Sequence, residues 1–340
     1  SSKLAKTSEV VLTGHTKAIH AMAWSNDGKK LATASGDTSA RVWTVDSHKE
    51  GRETELKDHT EPVDGVSWCP THTEILATGS SDKMVRLWDL RARRSLALTT
   101  PDEILNVTYS PDGNFLLIND KSETVRLIDV RNNKNHIMAS NSFDQQYWVN
   151  EVVWTAKGDG VLMCAGRQAS SVQEKGMLEL IAVNTAEGAA ELRSVLSIVA
   201  HTANCTAIAM DPQNRHFVTG AYDASACIWD AQELCCLRQC CTSLEEGIGN
   251  LGFSFDGSFV AGVCEVEGRN TTARKLIDIS AVSTGETVLK IDSKAYARRL
   301  AWHPRQCVMA YGGEKLQDES YRDRGSKSEV PVTVVTLQAK

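Results

Sequence analysis

The chain has 340 residues, 37 of them basic and 43 acidic, giving a net charge of -6 and a pI near 5.9. No apolar stretch approaches the roughly 20 residues that span a bilayer, and the first nine, SSKLAKTSE, lack the apolar segment of a secretory signal, so a soluble protein that is not exported is expected. The acidic balance argues against a dedicated nucleic-acid module, and ten irregularly spaced cysteines read as reduced thiols of the cytosol or nucleus.

Apolar residues alternate with polar ones at the period of two that strands demand, and turn signals group these segments into seven units. The first runs IHAMAW, SNDG, KLATAS and SARVW to Trp43; the second runs VDGVSW, CPTHTE, ILATGS and MVRLWD to Asp89. The third keeps ILNVTY, SPDG, FLLIN and TVRLID, with Ser122 in place of an aspartate and Ile128 in place of a tryptophan. The fourth begins VNEVVW and VLMCAG and inserts RQASSVQEKG before MLELIAV. In the fifth, NCTAIAM, HFVTGAYD and ACIWD return to the pattern, with Ala221 in place of a serine. The sixth, GNLGFSFDGSFVAGVC with KLIDIS, and the seventh, ARRLAW, CVMAYGG and VPVTVVTL, are looser, and Ile277 reads as a second lost tryptophan. Short strands between units, such as RETEL, SLALT, SVLSIV and ETVLKI, supply an outer edge.

A metric echo links the units. Gly14-His15, Ser35, Asp37 and Trp43 return as His59, Ser80, Asp82 and Trp88, and again as His201, Asp223 and Trp229. The His-to-Asp gaps are 22, 23 and 22 residues and the Asp-to-Trp gap is 6 each time. A period of about 40 to 45 residues that opens on Gly-His and closes on Trp-Asp is the signature of a β-propeller blade. The expected fold is therefore all-β, a single seven-bladed propeller over residues 1–340, with blade cores near 15–45, 59–91, 100–131, 143–184, 201–231, 245–280 and 294–338. The seventh unit has no outer strand after it, so residues 9–12 are expected to complete it, close the ring and protect a sheet edge.

These motifs resemble those of the WD-repeat family. The resemblance implies a buried hydrogen-bonded network of His15, Ser35, Asp37 and Trp43, of His59, Ser80, Asp82 and Trp88, and of His201, Asp223 and Trp229. Repeated copies of one constellation indicate scaffolding; a hydrolase triad needs an accessible nucleophile beside an oxyanion site. No catalytic residue and no small-molecule substrate are assigned. Gly247-Ile248-Gly249-Asn250-Leu251-Gly252 fits the dinucleotide fingerprint literally, but a strand and hairpin turn follow where a helix is required, so no cofactor is expected. Among Cys235, Cys236, Cys240 and Cys241, adjacent thiols point to opposite faces of any strand. They read as small buried hydrophobes, because zinc needs four converging ligands.

Arginines cluster at Arg91, Arg93 and Arg94, at Arg298, Arg299 and Arg305, and at Arg322 and Arg324 with Lys327. With no aromatic platform to stack bases they read as solvated loop charges, and direct RNA contact is at most auxiliary. Enlarged connections between the second and third strands of units four, six and seven crown one face, and long charged loops on a rigid scaffold serve binding. Candidate partner-binding residues are Arg167, Gln168, Glu174 and Lys175 in unit four, Glu267, Arg269 and Arg274 in unit six, and Lys315, Tyr321, Arg322, Arg324 and Lys327 in unit seven. The segments VNEVVW, AHTANCTAIAMDP, WDAQEL, FSFDG, IDIS, TGET and RRLAWHP are similar to those of the WD-repeat subunits of THO transcription-export complexes. That resemblance implies a nuclear, non-catalytic adaptor docked on the large helical THO subunits, in indirect contact with an RNA helicase and the mRNP, coupling transcription to mRNA export. A rival reading starts from Trp88-Asp89-Leu90-Arg91, the W-D-x-R pattern of WD-repeat substrate receptors of cullin-RING ubiquitin ligases, with Ile128-Asp129-Val130-Arg131 as a weaker echo. Another WD-repeat assembly platform is the remaining alternative.

Overall fold

Strands and tight turns alternate along the chain to give seven antiparallel four-stranded sheets. The structure is a computed structural model and describes residues 4–45, 53–131, 136–143, 147–168, 174–186, 188–265, 275–293, 295–314 and 329–339. The chain opens with β1 (Leu4–His15), which belongs to the last sheet. From the centre outward, blade 1 holds β2 (Ile19–Trp24), β3 (Lys30–Ser35), β4 (Ala40–Thr44) and β5 (Glu53–Leu56). Blade 2 holds β6 (Val63–Trp68), β7 (Ile75–Ser80), β8 (Met84–Asp89) and β9 (Arg94–Thr99). Blade 3 holds β10 (Ile104–Tyr109), β11 (Phe115–Asp120), β12 (Thr124–Asp129) and β13 (His136–Ser142). Blade 4 holds β14 (Tyr147–Trp154), β15 (Gly160–Gln168), β16 (Glu174–Asn184) and β17 (Glu191–His201). Blade 5 holds β18 (Cys205–Met210), β19 (His216–Ala221), β20 (Ala226–Asp230) and β21 (Cys236–Cys240). Blade 6 holds β22 (Ile248–Phe253), β23 (Phe259–Cys264), β24 (Leu276–Ala281) and β25 (Thr287–Asp292). Blade 7 holds β26 (Tyr296–Trp302), β27 (Val308–Glu314) and β28 (Val330–Ala339), with β1 outermost.

Each inner strand touches the next, and β26 touches β2, so the ring closes as a seven-bladed propeller. Closure in blade 7 uses β1, which pairs with β28 from Leu4 opposite Ala339 to His15 opposite Val330. The closing strand is longer than residues 9–12 alone. It buries Leu4 against the blade 6 side and Leu12 against blade 1. The apolar core is divided into seven clusters among the described residues, each lying between two adjacent blades. Both faces of every sheet are thus buried by its neighbours.

Two repeated devices shape the channel. In every inner strand the register slips at one residue near its start, at His20, Asp64, Leu105, Asn150, Thr206, Gly249 and Arg298. Such bulges bend a strand and sharpen its twist, as the tight inner circumference requires. At the other end of the strand, tryptophans reach back to the preceding blade: Trp24 Nε1 donates to Ala301 O at 3.1 Å, Trp68 to Ala23 O at 2.9 Å and Trp154 to Thr108 O at 3.4 Å.

Within blades 1, 2 and 5 the recurring polar residues form a directed chain. Trp43 Nε1 donates to Thr33 Oγ1 at 3.0 Å, Thr33 Oγ1 lies 2.8 Å from His15 Nε2, and His15 Nδ1 lies 2.9 Å from Asp37 Oδ2. The tautomer consistent with these contacts carries its proton on Nδ1, so Nε2 accepts from the threonine hydroxyl. Blade 2 repeats the chain through Trp88, Thr78, His59 and Asp82 at 2.8, 2.7 and 2.8 Å. Blade 5 repeats it through Trp229, Thr219 and His201, but there His201 Nδ1 meets Ser225 Oγ at 2.8 Å and the serine relays to Asp223.

The threonine at the centre was not among the residues picked out from sequence. Ser35 and Ser80 are buried and join the network at its aspartate end, without touching the histidines. Their hydroxyls close the turn, donating to Lys17 O and Pro62 O and accepting from the amides of Asp37 and Asp82. A correction concerns blade 6. The register position that pairs Leu76 with Trp88 pairs Val260 with Ser280, so the lost tryptophan is at Ser280, while Ile277 lies opposite Val263 nearer the start of its strand.

Three outcomes are expected. Deleting residues 1–13 removes most of β1, and burial of Leu4 and Leu12 alone accounts for about 3–6 kcal/mol; an unchanged melting temperature would refute closure by this strand. Thr78→Val keeps the shape but leaves Trp88 Nε1 and His59 Nε2 unpartnered in the interior, at roughly 1–3 kcal/mol for each group. Thr78→Ser should lose clearly less in a denaturant titration. Burial lowers the pKa of His15, His59 and His201, with the neighbouring aspartates only partly opposing it. The unfolded chain therefore takes up protons below about pH 6.5 before the folded chain does. Melting temperature should fall from pH 7 to pH 5, and a rise over that interval would contradict the neutral-histidine assignment.

Candidate interaction surfaces

The two faces of the ring are set by connectivity. Connections into each inner strand and between second and third strands emerge on one face, here called upper, and the other connections on the lower face. The bulged residues of blades 1 to 6, with Arg299 of blade 7, ring the upper part of the channel around a polar cavity of about 140 Å³.

The side chains there are already engaged, mostly across blade boundaries. Arg299 Nε donates to His20 O at 2.7 Å and Nη1 to Gly249 O at 3.2 Å. His20 Nδ1 lies 2.7 Å from Asp64 Oδ1. Asn119 donates to Val149 O at 3.3 Å, and Asn150 to Cys205 O at 2.7 Å. Glu151 accepts from the Ile208 amide at 3.0 Å, Thr206 donates to Ile248 O, and Asn250 accepts from the Leu300 amide at 3.0 Å. With Ser67, which accepts from the Tyr109 amide at 3.1 Å, all seven junctions carry a side-chain bond. Burial pushes the Glu151 carboxyl up, and the Ile208 amide and the Arg299 charge oppose that shift. Burial also works against the charge of Arg299, with Glu151 compensating. The channel is a polar fastening whose groups bind one another.

The arginine clusters separate accordingly. Arg299 lies in the channel wall and Arg298 pairs with Glu314 at 2.9 Å, so neither is the solvated loop charge expected from sequence. The bulge at Arg298 breaks the strand alternation that would place neighbours on opposite faces. Arg305 is exposed, as are Arg91, Arg93 and Arg94 on and beside the turn from β8 to β9. Of the WD-x-R residues, Trp88 is buried in the network, Asp89 accepts from the Ala92 amide at 2.9 Å, and Arg91 faces solvent.

Gly247 to Gly252 do not form a phosphate loop. Gly249 lies on inner strand β22, where a Cβ would sit 2.9 Å from Cys264 O. The cysteine cluster divides, because Cys240 and Cys241 are buried between blades 5 and 6 while Cys235 and Cys236 are exposed. Small buried hydrophobes therefore describes only half of it. Cys241 lies past the end of β21 at φ 51°, which is how two adjacent cysteines both point inward.

The blade 4 insertion begins as an extension of the hairpin. Arg167 pairs with Lys175 and Gln168 with Glu174, so these residues belong to β15 and β16. The Arg167 guanidinium stands 5.3 Å from the centre of the Tyr147 ring, a cation–π contact at the upper face. Glu174 and Lys175 are exposed beside it. Glu267, Arg269 and Arg274, and Lys315, Tyr321, Arg322, Arg324 and Lys327, lie outside the described residues.

Comparison with known proteins agrees with this architecture. The family described as WD domain, G-beta repeat matches residues 6–44, 51–89 and 192–230. THO complex subunit 3 of Arabidopsis thaliana is 32% identical over 92% of this chain and 91% of its own length. WD repeat-containing protein AAC3 of Dictyostelium discoideum is 24% identical over 72% of this chain and 52% of its own. Among solved structures, the β-propeller domain of Myceliophteria thermophila Cps50 (Swd1) superposes with a TM-score of 0.74 at 16% identity, covering 95% of this chain and 99% of that one. The chain belongs to the WD-repeat family of β-propellers and is a relative of THO complex subunit 3.

Proposed function

We propose that this propeller is a non-catalytic scaffold subunit of a THO-type complex, acting in the nucleus to couple transcription to mRNP assembly and mRNA export. The observation that carries the reading is the 32% identity to THO complex subunit 3, which extends over 92% of the chain and so beyond the three matched repeats. The chemistry is consistent with it. The recurrent histidines are held in buried chains that end on threonine and tryptophan, and the channel side chains are bound to neighbouring backbone.

Partner contact is assigned to the upper-face loops of blades 4, 6 and 7, with the large helical subunits as the partners. RNA helicase and mRNP are reached through them. Affinity purification from nuclear extract tests the whole reading. THO subunits should be recovered, and a cullin adaptor without them would replace this reading with the ligase receptor. In the same experiment, charge reversal of Arg322 and Arg324 together should reduce recovery of the large subunits several-fold with no change in melting temperature. Equal recovery would remove those arginines from the interface.

A further inference from the structure

On the lower face, opposite the loops just discussed, blades 2 and 3 meet at a cavity of about 380 Å³. Ile75, Leu87, Leu96 and Val130 line it, and Arg94 and Arg131 stand at its edge. The apolar lining is continuous with the core, because Ile75, Leu87 and Val130 pack on the cluster between these two blades. Leu96 lines the cavity from the outer strand β9 and is 41% exposed among the described residues.

The turn that joins β8 to β9 places Arg91 and Arg93 just before Arg94, giving three exposed arginines within four residues. Among the described residues their one ion pair is loose, with Arg94 Nε 3.8 Å from Asp89. Arg131 is anchored by Asp129 at 2.7 Å and lies 4.8 Å from the centre of the Phe115 ring, so its guanidinium is held in place at the margin. A net positive rim around an apolar floor stands on a chain of net charge -6.

The corresponding groove between blades 5 and 6 has different chemistry. At the register position that Leu96 occupies opposite Leu87, blade 5 places Arg238 opposite Ile228. Arg238 crosses that groove to Val282 O at 2.7 Å and to Ser283 O, whereas Leu96 presents only hydrocarbon to its own.

We infer that the groove between blades 2 and 3 docks a short acidic segment of a partner protein, with one aromatic side chain seated in the cavity and flanking carboxylates on Arg91, Arg93 and Arg94. The cavity is of a size that takes a bulky anchor, and aromatic anchors in desolvated pockets carry most of the energy of such interfaces. Carboxylates on the rim add hydrogen bonds of the charge-assisted kind and steer the encounter. RNA is the poorer occupant, since Trp88 and Tyr109 beside the cavity are buried and the single exposed ring in its lining, His72, gives no platform for successive bases.

The inference does not depend on which assembly contains the protein, and its test uses the purified full chain. The probe is a fluorescein-labelled peptide with one tryptophan flanked on both sides by glutamates, read by fluorescence anisotropy. Binding should weaken at least about tenfold for Leu96→Asp, for the triple variant R91E/R93E/R94E and for a peptide with tryptophan replaced by alanine, which corresponds to about 1.4 kcal/mol. All the protein positions are exposed, so melting temperatures should match that of the unsubstituted chain. Added salt should weaken the unsubstituted complex and affect the triple variant less. Equal binding by Leu96→Asp, equal binding by the alanine peptide, no binding at about 1 mM peptide, or preferential binding of an oligouridine through the same arginines would each overturn the proposal. Failure here leaves the recovery of THO subunits untouched, and the converse also holds.

Discussion

No blade of this protein can bury its own faces. Each apolar cluster is made by two neighbouring sheets, so every sheet depends on the one before and the one after. Such dependence is satisfied everywhere only if the row of sheets becomes a ring, and the ring exists because β1 leaves the start of the chain to pair with β28. Closure removes the exposed ends that a linear repeat array must cap by other means. The inner bulges, the tryptophans that donate to the preceding inner strand and the polar bonds at all seven junctions then act on a circumference already fixed. They set its diameter and stop adjacent blades from sliding.

How much of this the sequence disclosed follows from what kind of signal each feature leaves. Strand alternation and the spaced His, Asp and Trp are periodic, and the blades and the closing strand could be read from them. The central threonine is equally periodic, at Thr33, Thr78 and Thr219, yet a β-branched residue in a strand is unremarkable and conceals its hydrogen bonds. In blade 6 the dipeptide Ile277-Asp278 imitates Trp-Asp, and only register shows that Ser280 holds the place. Arg298 and Arg299 were misplaced for a different reason, because a single bulge changes which face each residue takes. Local pattern reports the element, and features that depend on pairing or on a slip in pairing remain hidden until the partner strand is known.

The same geometry explains where function can reside. A histidine whose two nitrogens are committed to threonine and aspartate, in a site closed to water, has no proton or lone pair to offer a substrate. The hydrogen bonds from His15 and Ser39 outweigh the effect of burial and keep the Asp37 carboxyl well below the usual range, so that aspartate is an anchor and not a base. The residues that most resemble catalytic machinery are thereby the least available for it. What the ring exposes to other molecules is its two faces, and these are chemically unlike. On the upper face the channel mouth is lined by polar side chains bound to one another, while the lower face offers an apolar groove with an arginine rim between two early blades.

That asymmetry has a counterpart inside the blades. The third-strand residue paired with the network threonine, or with its equivalent, is Arg41, Arg86 and Arg126 in blades 1 to 3, and then Glu179, Cys227, Asp278 and Thr333. In most blades this residue fastens the outer strand. Arg41 pairs with Glu53 and Glu55, Arg86 donates to Ser95, and Arg126 donates to Ser140, whereas Glu179 accepts from Ser197 and Asp278 from Thr287. The charge reverses from one half of the ring to the other while the mechanical task is retained. A blade therefore constrains polarity and reach at this point, not sign, and the sign is free to vary with the surface that the blade presents. The early blades use their cations to hold outer strands, and the acidic character of the whole chain makes the exposed arginines at Arg91 and Arg93 all the more distinct. Three like charges within four residues repel one another, and a negatively charged partner relieves that repulsion, which is why the groove between blades 2 and 3 is the lower-face feature most readily explained by binding.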